Sequence, residues 1–295
     1  MDQRSAIDET LVKRLLAAQF PQWAHLPLRK LASTGTDNAI YRLGDEMAVR
    51  LPRVEWAAGQ AETEYAWLPK LAPHLPLAIS QPLALGTPAE GYPWHWSVHR
   101  WLEGENATTG RIDDLRQAAI DLAGFVAALQ RIDAAGGPPP GFGRGMPLAT
   151  RDAYVRDAIA QLHGTIDTEA AALAWDVSLK APVWQGQPVW IHADIHAGNL
   201  LVDRGRISAV IDFGGVGVGD PAGDLLVAWS VLTADTRPVF REALRPDDAT
   251  WARGRGWALS VGLIALPYYR DTNPVVAAIS RHMVDEVLID FKNGL

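Results

Sequence analysis

Asp194 and Asn199 stand five residues apart, and Asp212 follows at the end of the next apolar run. The stretch reads His192-Ala193-Asp194-Ile195-His196-Ala197-Gly198-Asn199, then Leu200-Leu201-Val202, a polar turn at Asp203 to Arg206, and Ala209-Val210-Ile211-Asp212-Phe213-Gly214. Two apolar strands around a short turn form a hairpin, which would hold acidic groups at both ends of a rigid ribbon. Phosphoryl transfer asks for such a set: a carboxylate beside the attacking hydroxyl, and hard oxygen ligands for a magnesium ion bridging nucleotide phosphates. The Asn199 amide and the Asp212 carboxylate suit magnesium, whereas His192 and His196 are poor candidates for zinc and read better as bonded, packed residues.

His-x-Asp-x-x-x-x-Asn followed by Asp-Phe-Gly beyond an apolar strand resembles the aminoglycoside phosphotransferase family and, more distantly, protein kinases, over nearly the whole chain. The resemblance implies an α+β, bilobal protein-kinase-like fold, with a small antiparallel-sheet N-lobe (1–104) and a larger helical C-lobe (105–295). It implies Asp194 as the catalytic aspartate, Asn199 and Asp212 as holders of Mg2+, and ATP or GTP as donor. Gly35-Thr36-Asp37-Asn38 resembles the family's nucleotide-covering loop, which would bring Gly35 and Asn38 to the phosphates, although a plain hairpin turn reads nearly the same. Arg50 stands on the strand where kinases carry a phosphate-contacting lysine, and Glu64 stands on the following helix where the family places the carboxylate that pairs with it. A planar guanidinium is not equivalent to a compact ammonium at a tight phosphate site. Ser97 to Gly104 resembles the hinge, whose Arg100 carbonyl and Leu102 N–H would meet the purine. In Gly219-Asp220-Pro221-Ala222-Gly223-Asp224, Asp220 is a helix N-cap, Pro221 a first helical residue, and the helix is expected to run toward Trp229. The resemblance further implies that Asp224 bonds to the backbone of the catalytic loop.

The elements that must position these residues change character along the chain. Ile7, Leu11, Val12, Leu15, Leu16 and Phe20 recur at helical spacing before Pro21. Short strands are expected at Leu28 to Ser33, Ala39 to Leu43, Met47 to Leu51 and Trp94 to Trp101, with one helix at Gln60 to Leu71. From Ile112 onward the helical period dominates, with helices expected to Leu129 and at Arg151 to Leu162, Thr168 to Leu179, Pro221 to Leu232, Thr250 to Leu266 and Pro274 to Phe291. Gly136-Gly137-Pro138-Pro139-Pro140 reads as a plain connector.

A formal net charge of −7 gives no basic face for a phosphate backbone, so nucleic acid is not an expected partner. The chain has no cysteine, which excludes disulfides and thiolate chemistry. The N-terminus mixes Asp2, Arg4, Asp8 and Glu9 among apolar residues, so a cytoplasmic location is expected, and the run Leu259 to Tyr269 is too short to span a bilayer. The partners expected are a nucleoside triphosphate and a hydroxylated small molecule. Asp271, Asp285, Glu286 and Asp290 would suit a polycationic aminoglycoside, and Trp229, Trp257, Tyr268 and Tyr269 a macrolide. By family the acceptor is an aminoglycoside-type antibiotic. The alternatives are a macrolide or metabolite kinase of the same fold, or a non-catalytic nucleotide-binding protein suggested by Arg50.

Overall fold

Asp8 starts the first helix, its carboxylate accepting the Leu11 N–H at 2.8 Å, and the apolar face of α1 (Glu9–Gln19) follows at i, i+1, i+4 and i+5. The computed structural model describes residues 7–31 and 37–293, so Gly35 of the expected nucleotide loop lies outside the described residues. The chain divides into two compact units, an N-terminal one of residues 1–73 and 78–103 and a C-terminal one of residues 74–77 and 104–295.

In the N-terminal unit, β1 (Leu28–Lys30), β2 (Asn38–Leu43), β3 (Met47–Pro52), β5 (Pro82–Gly86) and β6 (Trp96–Arg100) form an antiparallel sheet in the order β1-β2-β3-β6-β5. The two-residue β4 (Ala78–Ile79) precedes β5, and α2 (Gln60–Leu71) follows β3. Leu11, Val12, Leu15 and Leu16 of α1 share one core with Tyr41, Leu43, Val49, Leu51, Trp96 and Val98. The strand period of two then sends Ala48 and Arg50 to the opposite face of β3. There Arg50 meets Glu64 of α2.

The C-terminal unit is mostly helical: α3 (Leu115–Gln130), α4 (Asp152–Gln161), α5 (Thr168–Leu179), α6 (Val227–Ser230), α7 (Arg237–Leu244), α8 (Asp248–Tyr269) and α9 (Pro274–Lys292). Side-chain caps from Asp114, Asp167, Asp247 and Asn273 open α3, α5, α8 and α9. Between α5 and α6 run two short ribbons. One pairs β9 (Leu200–Asp203) with β10 (Arg206–Val210), matching Leu200 to Val210, with the two-residue β7 (Glu105–Asn106) on the other edge of β9. The other pairs β8 (Val189–Ile191) with β11 (Gly217–Gly219). None of the described helices is long and apolar enough to cross a membrane.

The helix expected from Pro221 to Leu232 is broken. Asp220 does cap it, accepting the Ala222 N–H at 3.0 Å, but Pro221–Asp224 is a single 3-10 turn and α6 is one α-turn. Residues 221–230 are buried throughout, so packing rather than helical period sets their path. The short α7 was not expected from periodicity, because its core-facing residues are Phe240 and a buried Arg237.

Candidate active site

Two non-glycine residues with left-handed backbone bracket the acidic ribbon: Ala193 at φ +69° and Asp212 at φ +62°. Such conformations are sparsely populated and persist where the surroundings impose them. Asp224 supplies that imposition for Ala193. Its Oδ2 accepts the His192 N–H at 3.0 Å and its Oδ1 the Ala193 N–H at 2.7 Å. Burial pushes the Asp224 carboxyl up to about 7, against the pull of those two N–H donors. His192 is the second brace. Its Nε2 lies 3.0 Å from the Ile211 carbonyl, its Nδ1 accepts the Asp194 N–H at 3.2 Å, and its ring packs on Phe213 with centroids 4.4 Å apart. Burial pushes this imidazole down to about 4, so it is neutral, with the Nε2–H donating to the carbonyl.

Asp194 lies half-buried at the turn these braces define. Burial raises its carboxyl, but the Arg144 guanidinium and His196 outweigh burial and hold it well below the usual carboxylate range. Arg144 bonds to Asp194 Oδ1 and, at 2.6 Å, to the Ala193 carbonyl. His196 Nδ1 accepts the Gly198 N–H at 3.0 Å, which turns Nε2 toward Asp194 Oδ1 at 3.6 Å. A carboxylate ionised at rest and held at a loop tip can orient a hydroxyl and accept its proton as the transfer proceeds.

Asn199 donates its side-chain amide N–H to the Asp194 backbone carbonyl at 2.9 Å, and its backbone carbonyl accepts the Ile211 N–H at 2.9 Å. The first bond turns Oδ1 away from that carbonyl; the second ties Asn199 to the strand end that delivers Asp212. An amide oxygen and a carboxylate at one end of one hairpin are hard ligands of the kind magnesium takes. Among the described residues no three or more of His, Cys, Asp and Glu gather as a metal cage.

In the N-terminal unit, Arg50 Nη1 lies 2.9 Å from each Glu64 oxygen, and both side chains are almost wholly buried. His99 packs behind the pair, with Nε2 3.5 Å from Glu64 and 2.9 Å from the Ser97 hydroxyl, and burial, then the Arg50 charge, push it down to about 3. Asn38 reaches Gln60 at 3.5 Å, at the start of α2. Arg100 ends β6 and Leu102 follows it outside any strand.

Residues 29–257 match the sequence model of the phosphotransferase enzyme family designated APH, which covers most of the chain. The chain belongs to that family. No curated protein matches it in sequence. Among solved structures, the GDP complex of wild-type aminoglycoside 2′-phosphotransferase-IIIa is 17% identical, with 96% of this chain and 99% of that chain covered and a TM-score of 0.74. A macrolide 2′-phosphotransferase from Brachybacterium faecium is 22% identical over 94% and 98% of the two chains, with a TM-score of 0.61. A thermostable mutant of an aminoglycoside phosphotransferase in ternary complex with AMP-PNP and hygromycin B is 22% identical over 95% and 98%, also at 0.61. At these identities the likeness establishes the kinase-like fold.

The acids expected to greet a polycation are already matched within the phosphotransferase. Glu286 and Asp290 bond to Arg237 at 2.9 and 2.8 Å, Asp285 to Arg281 at 2.8 Å, and Asp271 lies 3.5 Å from Arg270. Trp229, fully buried, gives its Nε1–H to Asp290 at 2.8 Å, and Trp257 is equally buried, so neither presents a surface to a macrolide. Tyr268 is exposed and packs edge-on against Tyr269.

Arg144 is the residue that sequence reasoning missed. It lies four residues beyond Gly136 to Pro140, the stretch that reads as a plain connector, and the chain from Pro138 to Gly145 is stitched to the short ribbons: Gly141 N–H to the Gly215 carbonyl at 3.0 Å, Val218 N–H to the Pro138 carbonyl at 2.8 Å and Asp220 N–H to the Gly145 carbonyl at 3.0 Å. The one available signal was the flanking pair Gly143 and Gly145, both at positive φ, which buckle the chain so that Arg144 turns inward.

Proposed function

We propose that this phosphotransferase moves the terminal phosphoryl group of ATP or GTP to a hydroxyl of a small molecule, with Asp194 as the catalytic carboxylate. The observation that carries the reading is the fixed constellation of Asp194, Asn199 and Asp212 on one braced ribbon, in a chain whose family is phosphotransferases. In the transfer the acceptor oxygen bonds to the γ-phosphorus, the bond to the bridging oxygen breaks, the hydroxyl proton passes to Asp194 Oδ, and the nucleoside diphosphate leaves. Asn199 and Asp212 would hold magnesium, which when bound neutralises phosphate charge. Arg144 keeps Asp194 ionised and aimed, and Asp224 and His192 keep the loop in its left-handed turn. Arg50, tied to Glu64, would face the nucleotide phosphates together with Gly35 and Asn38, and the backbone of Arg100 and Leu102 would take the purine. The relatives' own acceptors, an aminoglycoside in one case and a macrolide in another by their descriptions, support a hydroxylated small molecule as the class.

The test is diphosphate release with ATP and GTP in parallel, with and without magnesium, across hydroxylated acceptors. We expect metal-dependent turnover that Asp194→Ala reduces by a factor of about 100 to 10,000. Turnover retained in Asp194→Ala would remove the assigned base. Nucleotide binding without any turnover would favour the non-catalytic alternative.

A further inference from the structure

The residue before Asn199 is held by a side chain from a distant part of the sequence. Gly198 is the middle residue of the 3-10 turn Ala197–Asn199, which leads straight into β9, and glycine has the widest backbone freedom of any residue. Its N–H donates to His196 Nδ1 at 3.0 Å, a contact made within the same loop. Its carbonyl accepts the side-chain amide of Asn106 at 2.6 Å, from 92 residues away. Both residues belong to the C-terminal unit.

Asn106 is itself fixed for that contact. Its backbone stands opposite Leu201 in the pairing of β7 with β9, and the next N–H, of Ala107, donates to the Leu200 carbonyl at 2.9 Å. Asn106 Oδ1 accepts the Thr108 N–H at 3.1 Å and the Thr108 hydroxyl at 2.7 Å. A backbone N–H can only donate, so it settles which end of the amide is oxygen and leaves Nδ2 for Gly198. The peptide between Gly198 and Asn199 is thereby pinned on both sides, its carbonyl by Asn106 and its N–H by the His196 carbonyl at 2.8 Å. With that plane fixed, the bond from Asn199 Nδ2 to the Asp194 carbonyl at 2.9 Å sets the direction of Asn199 Oδ1.

We propose that Asn106 is a positioning residue for Asn199: its amide holds the Gly198 carbonyl and so keeps the Asn199 oxygen aimed as a ligand for magnesium. The proposal rests on the phosphotransferase reading above, in which Asn199 and Asp212 hold the ion, and leaves the transfer step unchanged. Without Asn106 the peptide ahead of Asn199 turns about a glycine, and Oδ1 spends part of its time away from the ion. Groups that orient a metal ligand without touching the metal typically cost 10- to 100-fold in metal affinity or activity when removed. The loss therefore falls on the metal and on the rate, not on the acceptor.

The test replaces Asn106 by Ala and by Asp. Asn106→Asp keeps both bonds from Thr108 and removes only the donor to Gly198, so shaping the local turn and holding the loop come apart in that variant. Manganese is the probe ion, titrated by electron paramagnetic resonance into the protein with a non-hydrolysable ATP or GTP analogue, and the apparent magnesium constant and kcat come from diphosphate release. Both variants should weaken manganese binding and raise the apparent magnesium constant by a factor of about 10 to 100, while the acceptor KM is unchanged. Thr109→Val, which removes a 3.1 Å bond to the backbone carbonyl of Asn106 and leaves its amide alone, should bind manganese as the wild type does. Wild-type metal binding in either Asn106 variant, a loss that only follows a lower unfolding midpoint, a loss confined to the acceptor KM, or no manganese uptake by the wild-type nucleotide complex would each overturn the proposal. Manganese binding that depends on Asn106, in a wild type that phosphorylates no acceptor, would keep the positioning role and remove the kinase reading instead.

Discussion

At the residue scale the site is decided by who holds Asp194. A lone carboxylate on a loop would sample many rotamers. Here Arg144 bonds both to its Oδ1 and to the carbonyl of the preceding residue, so the loop and the acid are fixed by one guanidinium. Removing it by Arg144→Gln should lower kcat by about 100-fold, with a much smaller change in nucleotide KM, and Arg144→Lys should restore part of the rate. Equal losses in kcat and in fold stability would instead make Arg144 a packing residue. Asp224 acts one layer further back. Because each of its oxygens accepts a different backbone N–H, the isosteric Asp224→Asn keeps one acceptor and turns an N–H against the other donor. That variant should lose about 1–3 kcal/mol in denaturant unfolding and lose turnover with it, even though burial already pushes the native carboxyl toward its neutral form. An Asn variant as stable as wild type would mean that only one of the two bonds matters.

At the scale of elements, the segment between α3 and α4 and the long helix α8 carry the arrangement. Gly145 stands at φ +83°, and a Cβ there would come 2.6 Å from Ile191 Cδ1 and 3.2 Å from Pro140. Gly145→Ala should therefore shift Arg144 and depress kcat as Arg144→Gln does, at a backbone cost of about 1–2 kcal/mol. Normal kcat in that variant would separate the loop's course from catalysis. Helix α8 packs closely at its glycines. A Cβ on Gly254 would meet Leu225 Cβ at 2.5 Å, and one on Gly262 would meet the Ser280 carbonyl at 2.9 Å. Alanine is the better helix former by about 1 kcal/mol, so Gly254→Ala would stabilise an isolated helix. In the folded protein we expect the overpacking to win by about 1–3 kcal/mol, read as a lower unfolding midpoint.

At the scale of the whole molecule, stability should depend on pH through groups that do no chemistry. His99 in the N-terminal unit and His192 in the C-terminal unit are wholly buried, with folded pKa values of about 3 and 4 against an ordinary 6.5. Below pH 6.5 the unfolded chain binds protons that the folded chain refuses, so stability falls as pH falls. Asp224 opposes this, since its value of about 7 lies above the ordinary 3.8 and the folded state holds that proton more tightly. Two histidines against one aspartate leave a net of about one proton, or about 1.4 kcal/mol per pH unit. The denaturant midpoint should therefore drop from pH 6.5 to pH 4.5, and His99→Gln should flatten the dependence. A midpoint that is level or rises on acidification in the wild type would show that these imidazoles are protonated in the fold.

The order of elements was legible in the chain because it rests on local rules. A clear apolar period announced α1, α5 and α9, and short apolar runs between turn residues announced β2 and β3. The spacing of Asp194, Asn199 and Asp212 was legible for the same reason, since one hairpin carries all three and its turn lies within a dozen residues of each. What the sequence could not give was the partner of each charge. The Arg50–Glu64 pair, 14 residues apart, could be expected only from a family resemblance. Arg144 reaches Asp194 from 50 residues away, and Arg237 takes Asp290 from 53 residues away. Periodicity records which face of an element is buried, but a salt bridge between distant elements leaves no period. Only the packing of helices and ribbons against one another decides which acids are spent and which arginine holds Asp194.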